Sequence, residues 1–377
     1  MTISTMFEMV KKDILNINLK LSKNKIKNTT SELEKKSPTT TMLTYYRKVT
    51  PKNILYDVLK KNGFEHDNKK YNLYIPCGYT NVKSELKKIH LPECKYIFGF
   101  IECDKIIRKN NLWDILEKTY GRSNAKQIMP ESFIIENTEQ YKNALQKIKS
   151  GTILICKKNI QRKLGLTLTF TTSDLIKAKM ENYKVAQYFL KDTMKIKGRK
   201  LNMRIYYVIR KYKEKIQFFV NTNGKVLYTK KKTNNNTVTF ETHITSQMDV
   251  SLYENENMPH DFNELKDFIG KEEYEDIWSK IIDNIKYLSK AIAPIFNETK
   301  YYNKVCFQLF GMDVIIENNN PYILEINKGP DMNAKCEKDY ILKKDIYEST
   351  FQVVGLLKNR VKPSNYVKVY ETQIPYL

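Results

Sequence analysis

The chain has 377 residues, of which 65 are Lys or Arg and 42 are Asp or Glu, a formal net charge of +23; at about 150 residues per domain the length suits roughly two to three domains with a real core. Hydrophobic content of 41% and aromatic content of 12% argue against global disorder, no uncharged apolar run reaches the ~20 residues of a membrane helix, and Glu8 and Lys11 interrupt any apolar leader. A transmembrane protein, a secreted mini-protein and an acidic tail protein are therefore not expected, and the excess charge calls for an anionic partner: nucleic acid, a membrane surface or an acidic protein.

In chain order, residues 1–50 read as a basic polar arm, partly disordered, since Ser22 to Thr41 is mostly Lys, Ser, Thr and Asn. A small α/β unit is expected over 51–125. It has a helix at Lys52–Lys61 stopped by Gly63, strands at Tyr71–Pro76 and Tyr96–Phe100, and a helix at Asn110–Thr119 stopped by Gly121. Over 126–192 the pattern predicts a strand at Ser132–Ile135, a helix at Thr138–Ile148 and an apolar strand at Thr152–Lys157. A polar loop to Gly165, a strand at Leu166–Phe170, a helix N-capped by Ser173 and a strand at Lys184–Leu190 complete that unit. Over 193–377 come a long strand at Leu201–Arg210 and a hairpin of Gln217–Val220 with Lys225–Thr229, closed by Asn223-Gly224. A long helix follows at Lys271–Pro294, with Trp278, Ile281, Ile285 and Leu288 on one stripe. Strands at Val305–Ile316 and Pro321–Ile326 and a helix at Ser349–Lys358 close the fold.

The six cysteines, Cys77, Cys94, Cys103, Cys156, Cys306 and Cys336, form no CxxC pair and are expected as free thiols in a reducing compartment. The 4 histidines are too few for a multi-His metal site.

The most informative stretch is Cys306 to Asn327. If Ile316 pairs with Tyr322 around the intervening turn, Asp313 falls opposite Glu325, with Cβ atoms about 5 Å apart. Asn327, two residues on, faces the same side. Two bare carboxylates at that distance repel, and a bound cation or a raised pKa resolves the repulsion. An oxygen-only set suits Mg²⁺ completed by phosphate oxygens; a solvated acidic sheet face and a hydrolytic carboxylate dyad are the other readings. Lys157 ends an apolar strand, where its ammonium can meet phosphate. Lys200, Asn202 and Arg204 share one strand face, an unusual set unless an anion binds there. Asp104 to Lys109 places Arg108 and Lys109 at a helix entrance.

MPESFII (129–135), ILICKKNIQRKLGL (153–166), AQYFL (186–190), KGRKLNMRIYYVI (197–209), THITS (242–246), CFQLFGMDVII (306–316) and PYILEINKGPDM (321–332) resemble, in that order, the tubulin–tyrosine ligase and ligase-like family. DKIIRKNNLW (104–113) resembles the family's N-terminal basic motif. The resemblance implies an ATP-grasp fold in the α/β (α+β) class. Its small N-terminal α/β domain would be 51–125, the central ATP-grasp lobe 126–192 and the C-terminal lobe 193–377. It implies ATP and Mg²⁺ as cofactors. Lys109 and Lys157 would lie on the phosphate side, with Gln187, Tyr188, Phe189 and Leu190 as the adenine hinge, partly through backbone groups. Lys200 and Asn202 would lie by the nucleotide, Arg204 by the phosphates or an acyl-phosphate, and His243, Ile244, Thr245 and Ser246 along the nucleotide and amino-acid site. Asp313, Glu325 and Asn327 would hold the metal, and Lys157 and Arg204 would be the catalytic pair. The chain departs from the family in having Asn202 where Asp is common, Ser246 where Asn is usual, Tyr228 where Arg is frequent, and a glycine-poor loop before Gly165.

The function implied is an ATP- and Mg²⁺-dependent carboxylate–amine ligase that adds an amino acid, tyrosine or glutamate, to an acidic protein tail, tubulin foremost. The partners would be that tail and a free amino acid, without membrane or nucleic acid, in a cytoplasmic, microtubule-associated setting. Two other readings stand beside it: a catalytically impaired relative that binds microtubules, and a basic nucleic-acid-binding protein.

Overall fold

The structure, a computed structural model, describes residues 43–48, 53–77, 82–88, 94–160, 165–233, 238–245, 250–254, 256–298, 300–357 and 363–374. Most of the expected polar arm, Ser246 and part of the loop before Gly165 lie outside the described residues. The strands in chain order are β1 (Leu43–Tyr46), β2 (Phe64–His66), β3 (Leu73–Tyr74), β4 (Tyr96–Phe98), β5 (Ser132–Ile134), β6 (Leu154–Lys157) and β7 (Leu166–Thr169). They continue as β8 (Val185–Tyr188), β9 (Lys195–Ile196), β10 (Arg199–Tyr212), β11 (Lys215–Tyr228), β12 (Val305–Glu317), β13 (Asn320–Asn327) and β14 (Tyr366–Gln373).

Two sheets organise the α/β fold. The larger runs β14-β11-β10-β12-β4-β3-β1-β2, with β13 also paired to β12 and β9 to β10; the smaller is β5-β8-β6-β7. The pairs from β10 to β14 are antiparallel, whereas β4 joins β12 in parallel, Val305 facing Tyr96. The N-terminal strands therefore extend the same sheet as the C-terminal ones. Strand β1 also lies inside the segment expected as a polar arm: Leu43 and Tyr45 pair with Phe64 and His66 of β2.

Strand β10 shows how the sheet positions a site. Leu201, Met203, Ile205, Tyr207 and Ile209 pack in one core with Ile281, Ile285 and Leu288 of the long helix Lys271–Ile292. Tyr206 and Val208 face a second core with Leu342 and Ile346 of the helix Glu337–Val353. Side chains alternate along a strand, so Asn202 and Arg204 share the face of Tyr206 and Val208. In the small sheet, Leu154 and Cys156 lie in a third core, which turns Ile155 and Lys157 to the other side.

Four expectations are corrected. The segments at Gln217–Val220 and Lys225–Thr229 are not a hairpin but parts of one strand, β11; the turn is Lys213-Glu214, with Lys213 at φ +54°. Asn223-Gly224 instead closes a bulge opposite Tyr206, where Asn223 Oδ1 accepts the N–H groups of Gly224 (2.8 Å) and Phe262 (3.0 Å). Gly224 is needed there for close approach, because a Cβ would lie 2.4 Å from the Phe262 ring and 2.5 Å from the Arg204 carbonyl oxygen. Thr171, not Ser173, caps the helix Thr172–Met180, through a reciprocal pair of bonds with Asp174. The expected closing helix begins much earlier, at Glu337, because its first half buries Asp339 and Lys343 as well as apolar residues, and those charges hide the stripe. The last element is the strand β14, which sequence pattern did not reveal.

All six cysteines are free, as expected. Cys156 is buried, and burial pushes its thiol up to about 12.

Candidate active site

A single row of side chains crosses four strands. In register, Lys225 on β11 faces Arg204 on β10, Arg204 faces Asp313 on β12, and Asp313 faces Glu325 on β13. All four line one cavity of about 600 Å³. The expected opposition of Asp313 and Glu325 holds, by a different route. The turn is Asn318-Asn319, both at positive φ (50° and 58°), with Glu317 facing Asn320. That register sets Ile316 against Pro321, one residue off the expected partner. A bulge at Leu324 absorbs the difference, so that Asp313 still faces Glu325 and Gly311 faces Asn327.

Within the row the charges are paired. Arg204 grips Asp313 through both arms, Nε to Oδ1 and Nη2 to Oδ2 at 3.0 Å. Glu325 accepts from Asn327 Nδ2 at 3.1 Å and meets Lys109 Nζ at 3.3 Å. Burial opposes the charge on Glu325, but Lys109, Lys157, Asn327 and Arg204 together hold its carboxyl down to about 2. Burial pushes Asp313 the other way, up, against the pull of Arg204 and with help from Glu325. The two opposed carboxyls therefore differ, with Glu325 the firmly ionised one.

Lys109 begins the helix Lys109–Tyr120 and ties the N-terminal segment to the loop after β6. Its backbone N–H donates to Asn159 Oδ1 (2.9 Å) and its Nζ to the Ile160 carbonyl (3.2 Å). Lys157 reaches the same cavity from β6 and donates to Gln187 Oε1 at 2.6 Å. Gln187 in turn donates to Ser132 Oγ at 2.9 Å, so its side chain is a fixed acceptor aimed at the lysine. Burial pushes Lys157 down to about 8; Glu325 pulls it back and Lys109 adds to the fall.

Tyr188, Phe189 and Leu190 line the opposite end. The N–H groups of Tyr188 and Phe189 are committed to the carbonyls of Glu131 and Ile153, so they are not available to a ring in the cavity. Lys200 lies beneath this segment instead of on the cavity wall, donating to the carbonyls of Leu190 (3.2 Å) and Lys191 (2.7 Å) and standing 5.1 Å from the Phe189 ring centre. His243 packs against Phe189 with centroids 5.5 Å apart, and burial with the nearby Lys200 pushes it down to about 4, which leaves it neutral at pH 7. Ile244 and Thr245 line the cavity, and Asn202 Nδ2 donates to Thr245 Oγ1 at 3.1 Å. Among the described residues the Asn202 Oδ1 is buried without a hydrogen-bond partner.

Residues at the other end escaped sequence reasoning. Tyr206, Lys225, Asp331 and Lys343 also line the cavity, and Asp339 lies behind it. Alternation from Arg204 would have found Tyr206. Lys225 and Lys343 were hidden among the many lysines and by the misread hairpin. Tyr228 is buried and donates to the Pro259 carbonyl, while Leu227 takes the cavity-facing place beside it.

Among the described residues no group of three or more His, Cys, Asp or Glu side chains is placed to hold a metal ion. Asp313, Glu325 and Asn327 instead offer two carboxylates and an amide on one face. That set fits a Mg²⁺ that keeps water and takes phosphate oxygens, and it does not fit a cage made by protein alone. The unpartnered Asn202 oxygen fits a ligand that donates a hydrogen bond, as a ribose hydroxyl does.

The model of the tubulin-tyrosine ligase family matches residues 87–363. The chain is 24% identical over 188 residues to the probable tubulin polyglutamylase TTLL9 of Bos taurus, covering 47% of this chain and 39% of that protein. It is 21% identical over 340 residues to the tubulin monoglutamylase TTLL4 of Mus musculus, covering 82% and 27%. With the probable alpha-tubulin polyglutamylase Ttll1 of Tetrahymena thermophila it shares 22% over 287 residues, covering 74% and 67%. The chain thus spans well under half the length of the cattle and mouse proteins.

Proposed function

The chain belongs to the tubulin–tyrosine ligase family, and on that premise we propose that it is an ATP- and Mg²⁺-dependent ligase joining the amine of a free amino acid to a carboxylate of an acidic protein tail. Tubulin is the tail named in its relatives, and glutamate is the amino acid their names favour over tyrosine. The observation that carries this reading is the register row Lys225–Arg204–Asp313–Glu325 beside Lys157 and Lys109, cations and carboxylates at one cavity. ATP with its Mg²⁺ would supply the phosphoryl group that activates the acceptor carboxylate as an acyl-phosphate.

The chain's own residues would position and neutralise. Phe189, with His243 against it, would form an apolar seat for the base. Asn202 would accept a hydrogen bond from the sugar. Lys157, held straight by Gln187, would place an ammonium at the phosphates. Arg204, its fork held on Asp313, would bring its guanidinium charge next to them, where negative charge builds up during transfer. Asp313, Glu325 and Asn327 would hold the Mg²⁺, with Lys109 keeping Glu325 in place. Little covalent chemistry falls to the protein; orientation and charge do the rest. The cytoplasm, at microtubules, is the setting that this substrate implies. The 51–125, 126–192 and 193–377 divisions would then be the substrate-facing domain and the two ATP-grasp lobes.

The neutral Asn202, where the family commonly has Asp, favours a second reading: a member that binds nucleotide and tubulin without turnover. One assay separates the two. ADP release that requires both an acidic tail peptide and a free amino acid supports the ligase. Nucleotide binding without release supports the second reading, and absence of both would return the excess of +23 to a nucleic-acid partner.

A further inference from the structure

Arg199 opens β10 and has no part in the proposed chemistry. It has the parity of Leu201 and Met203, which pack in the core behind the sheet, so it faces away from Asn202 and Arg204. It is buried, and its guanidinium is engaged on two sides. Nη1 donates to the carbonyls of Thr229 (3.3 Å) and Lys230, while Nε and Nη2 donate to the two oxygens of Glu256 at 3.3 and 2.8 Å. Lys197 Nζ adds a bond to the Glu256 carbonyl at 2.6 Å.

Those partners are distant in sequence and bracket one stretch of chain. Thr229 and Lys230 stand where the chain leaves β11. Glu256 stands where it comes back to that strand, since His260 and Asp261 then meet Val226 and Lys225. Between the two points lie His243, Ile244 and Thr245, which line the cavity, His243 against Phe189 and Thr245 on Asn202. Thr229 bridges Thr245 directly, and its N–H donates to the Lys200 carbonyl at 3.0 Å. Bringing the ends of such a stretch together costs entropy. One planar fork does it here, with carbonyls on one side and a carboxylate on the other. The two walls of this end of the cavity are thus fastened by neighbours on one strand. Lys200 holds Leu190 and Lys191 by their carbonyls; Arg199, from the opposite face, holds the chain that carries His243 and Thr245.

We propose that Arg199, with Glu256, is a positioning residue for the base and sugar of the nucleotide, acting through His243, Ile244 and Thr245 without touching the ligand. The proposal rests on the ligase reading, which seats the base at Phe189 and His243.

The test uses the full chain with Arg199→Met, Arg199→Lys and Glu256→Gln. A lysine keeps the charge but cannot span both ends of the stretch, and where Arg199→Met fails to fold the other two variants carry the test. Calorimetric titration follows adenosine, Mg·ADP and Mg·pyrophosphate separately. Affinity for adenosine and for Mg·ADP should fall about tenfold or more in the Arg199 variants and about threefold in Glu256→Gln. Affinity for Mg·pyrophosphate, which meets only the Lys157 end, should stay within about twofold of wild type. Histidine NMR adds a readout that needs no ligand. Burial with the nearby Lys200 pushes His243 down to about 4, and loosening its segment should bring it up by about one unit or more. A fastener that serves stability alone would lower the melting temperature and leave both adenosine affinity and the His243 titration unchanged, which would overturn the proposal. An equal loss of adenosine and pyrophosphate affinity would overturn it too. A wild type that binds neither adenosine nor Mg·ADP overturns the ligase reading and this proposal with it; a wild type that binds both, with variants that bind as well, overturns this proposal alone.

Discussion

Arg204 and Asp313 stand directly opposite each other on adjacent antiparallel strands, and the guanidinium fork takes both carboxylate oxygens. This pair sits at the middle of the row, with Lys225 on one flank and Glu325 on the other. It separates Lys225 from Glu325 on one sheet face.

Removing one partner should therefore cost more than removing both. Asp313 is buried and Arg204 keeps 19% of its side chain exposed to the cavity. Arg204→Met is expected to destabilise the fold by about 2–3 kcal/mol, below the cost of a fully dry pair because water reaches the cavity. The double variant Arg204→Met/Asp313→Leu should recover most of that loss, and Arg204→Lys should recover little, since an ammonium cannot form the fork. Chemical denaturation of the set checks this; equal stability of all the variants would show that the pair carries no coupling.

Glu325 is the carboxyl held ionised, at about 2, by the cations around it. Glu325→Gln keeps the shape and removes the charge. Ligation by this variant should fall about 10²-fold or more, and the magnesium dependence of nucleotide binding should weaken with it. Full turnover in Glu325→Gln would remove the metal assignment.

The pH response follows from Lys157 and Lys200, both pushed down to about 8, mainly by burial. Unfolded lysines keep their protons to about 10.5. Between those values the unfolded chain binds more protons than the folded one, so folding stability should rise with pH across that window. Nucleotide binding should do the opposite, because the Lys157 ammonium proposed to face the phosphates loses its charge above about 8. Calorimetry from about pH 7 to about 9.5 should show affinity falling by up to roughly tenfold per unit as Lys157 titrates. Lys157→Gln should bind more weakly at pH 7 and show a shallower fall. A wild-type affinity that is flat to pH 9.5 would contradict the role given to Lys157.

The site was legible where chemistry-bearing residues interrupt apolar strands. Asp313, Glu325 and Asn327 stand out because β12 and β13 are otherwise nearly continuous apolar runs, and strand alternation placed them together. Arg204 and Asn202 were found in the same way. What stayed hidden depends on contacts distant in sequence. Nothing local marks Lys225 as different from its many neighbours until Asp339 is folded against it. The Asn223-Gly224 pair carries a strong hairpin signal, yet its polar groups are used to build a bulge against Phe262. The helix at Glu337 was missed because its buried face includes charge. The bulge at Leu324 shows the converse, a register expected from a slightly wrong turn and restored by one inserted residue.

Gly224 gives a prediction free of any functional reading. A methyl group there would collide with the Phe262 ring and the Arg204 carbonyl. Gly224→Ala should destabilise the chain by about 1–3 kcal/mol and disturb the neighbouring Lys225 and Arg204. Thermal melting checks the first effect; a melting temperature equal to wild type would mean that the bulge yields freely.

The central claim is that this row of charges joins an amino acid to an acidic tail at the expense of ATP. Mass spectrometry of tubulin tails after incubation with the chain, ATP, Mg²⁺ and mixed amino acids tests it most directly. The account predicts tails heavier by whole glutamate residues, only when ATP is present, and fewer by about 10²-fold or more with Glu325→Gln. Tails of unchanged mass, with the chain folded and nucleotide bound, would contradict it.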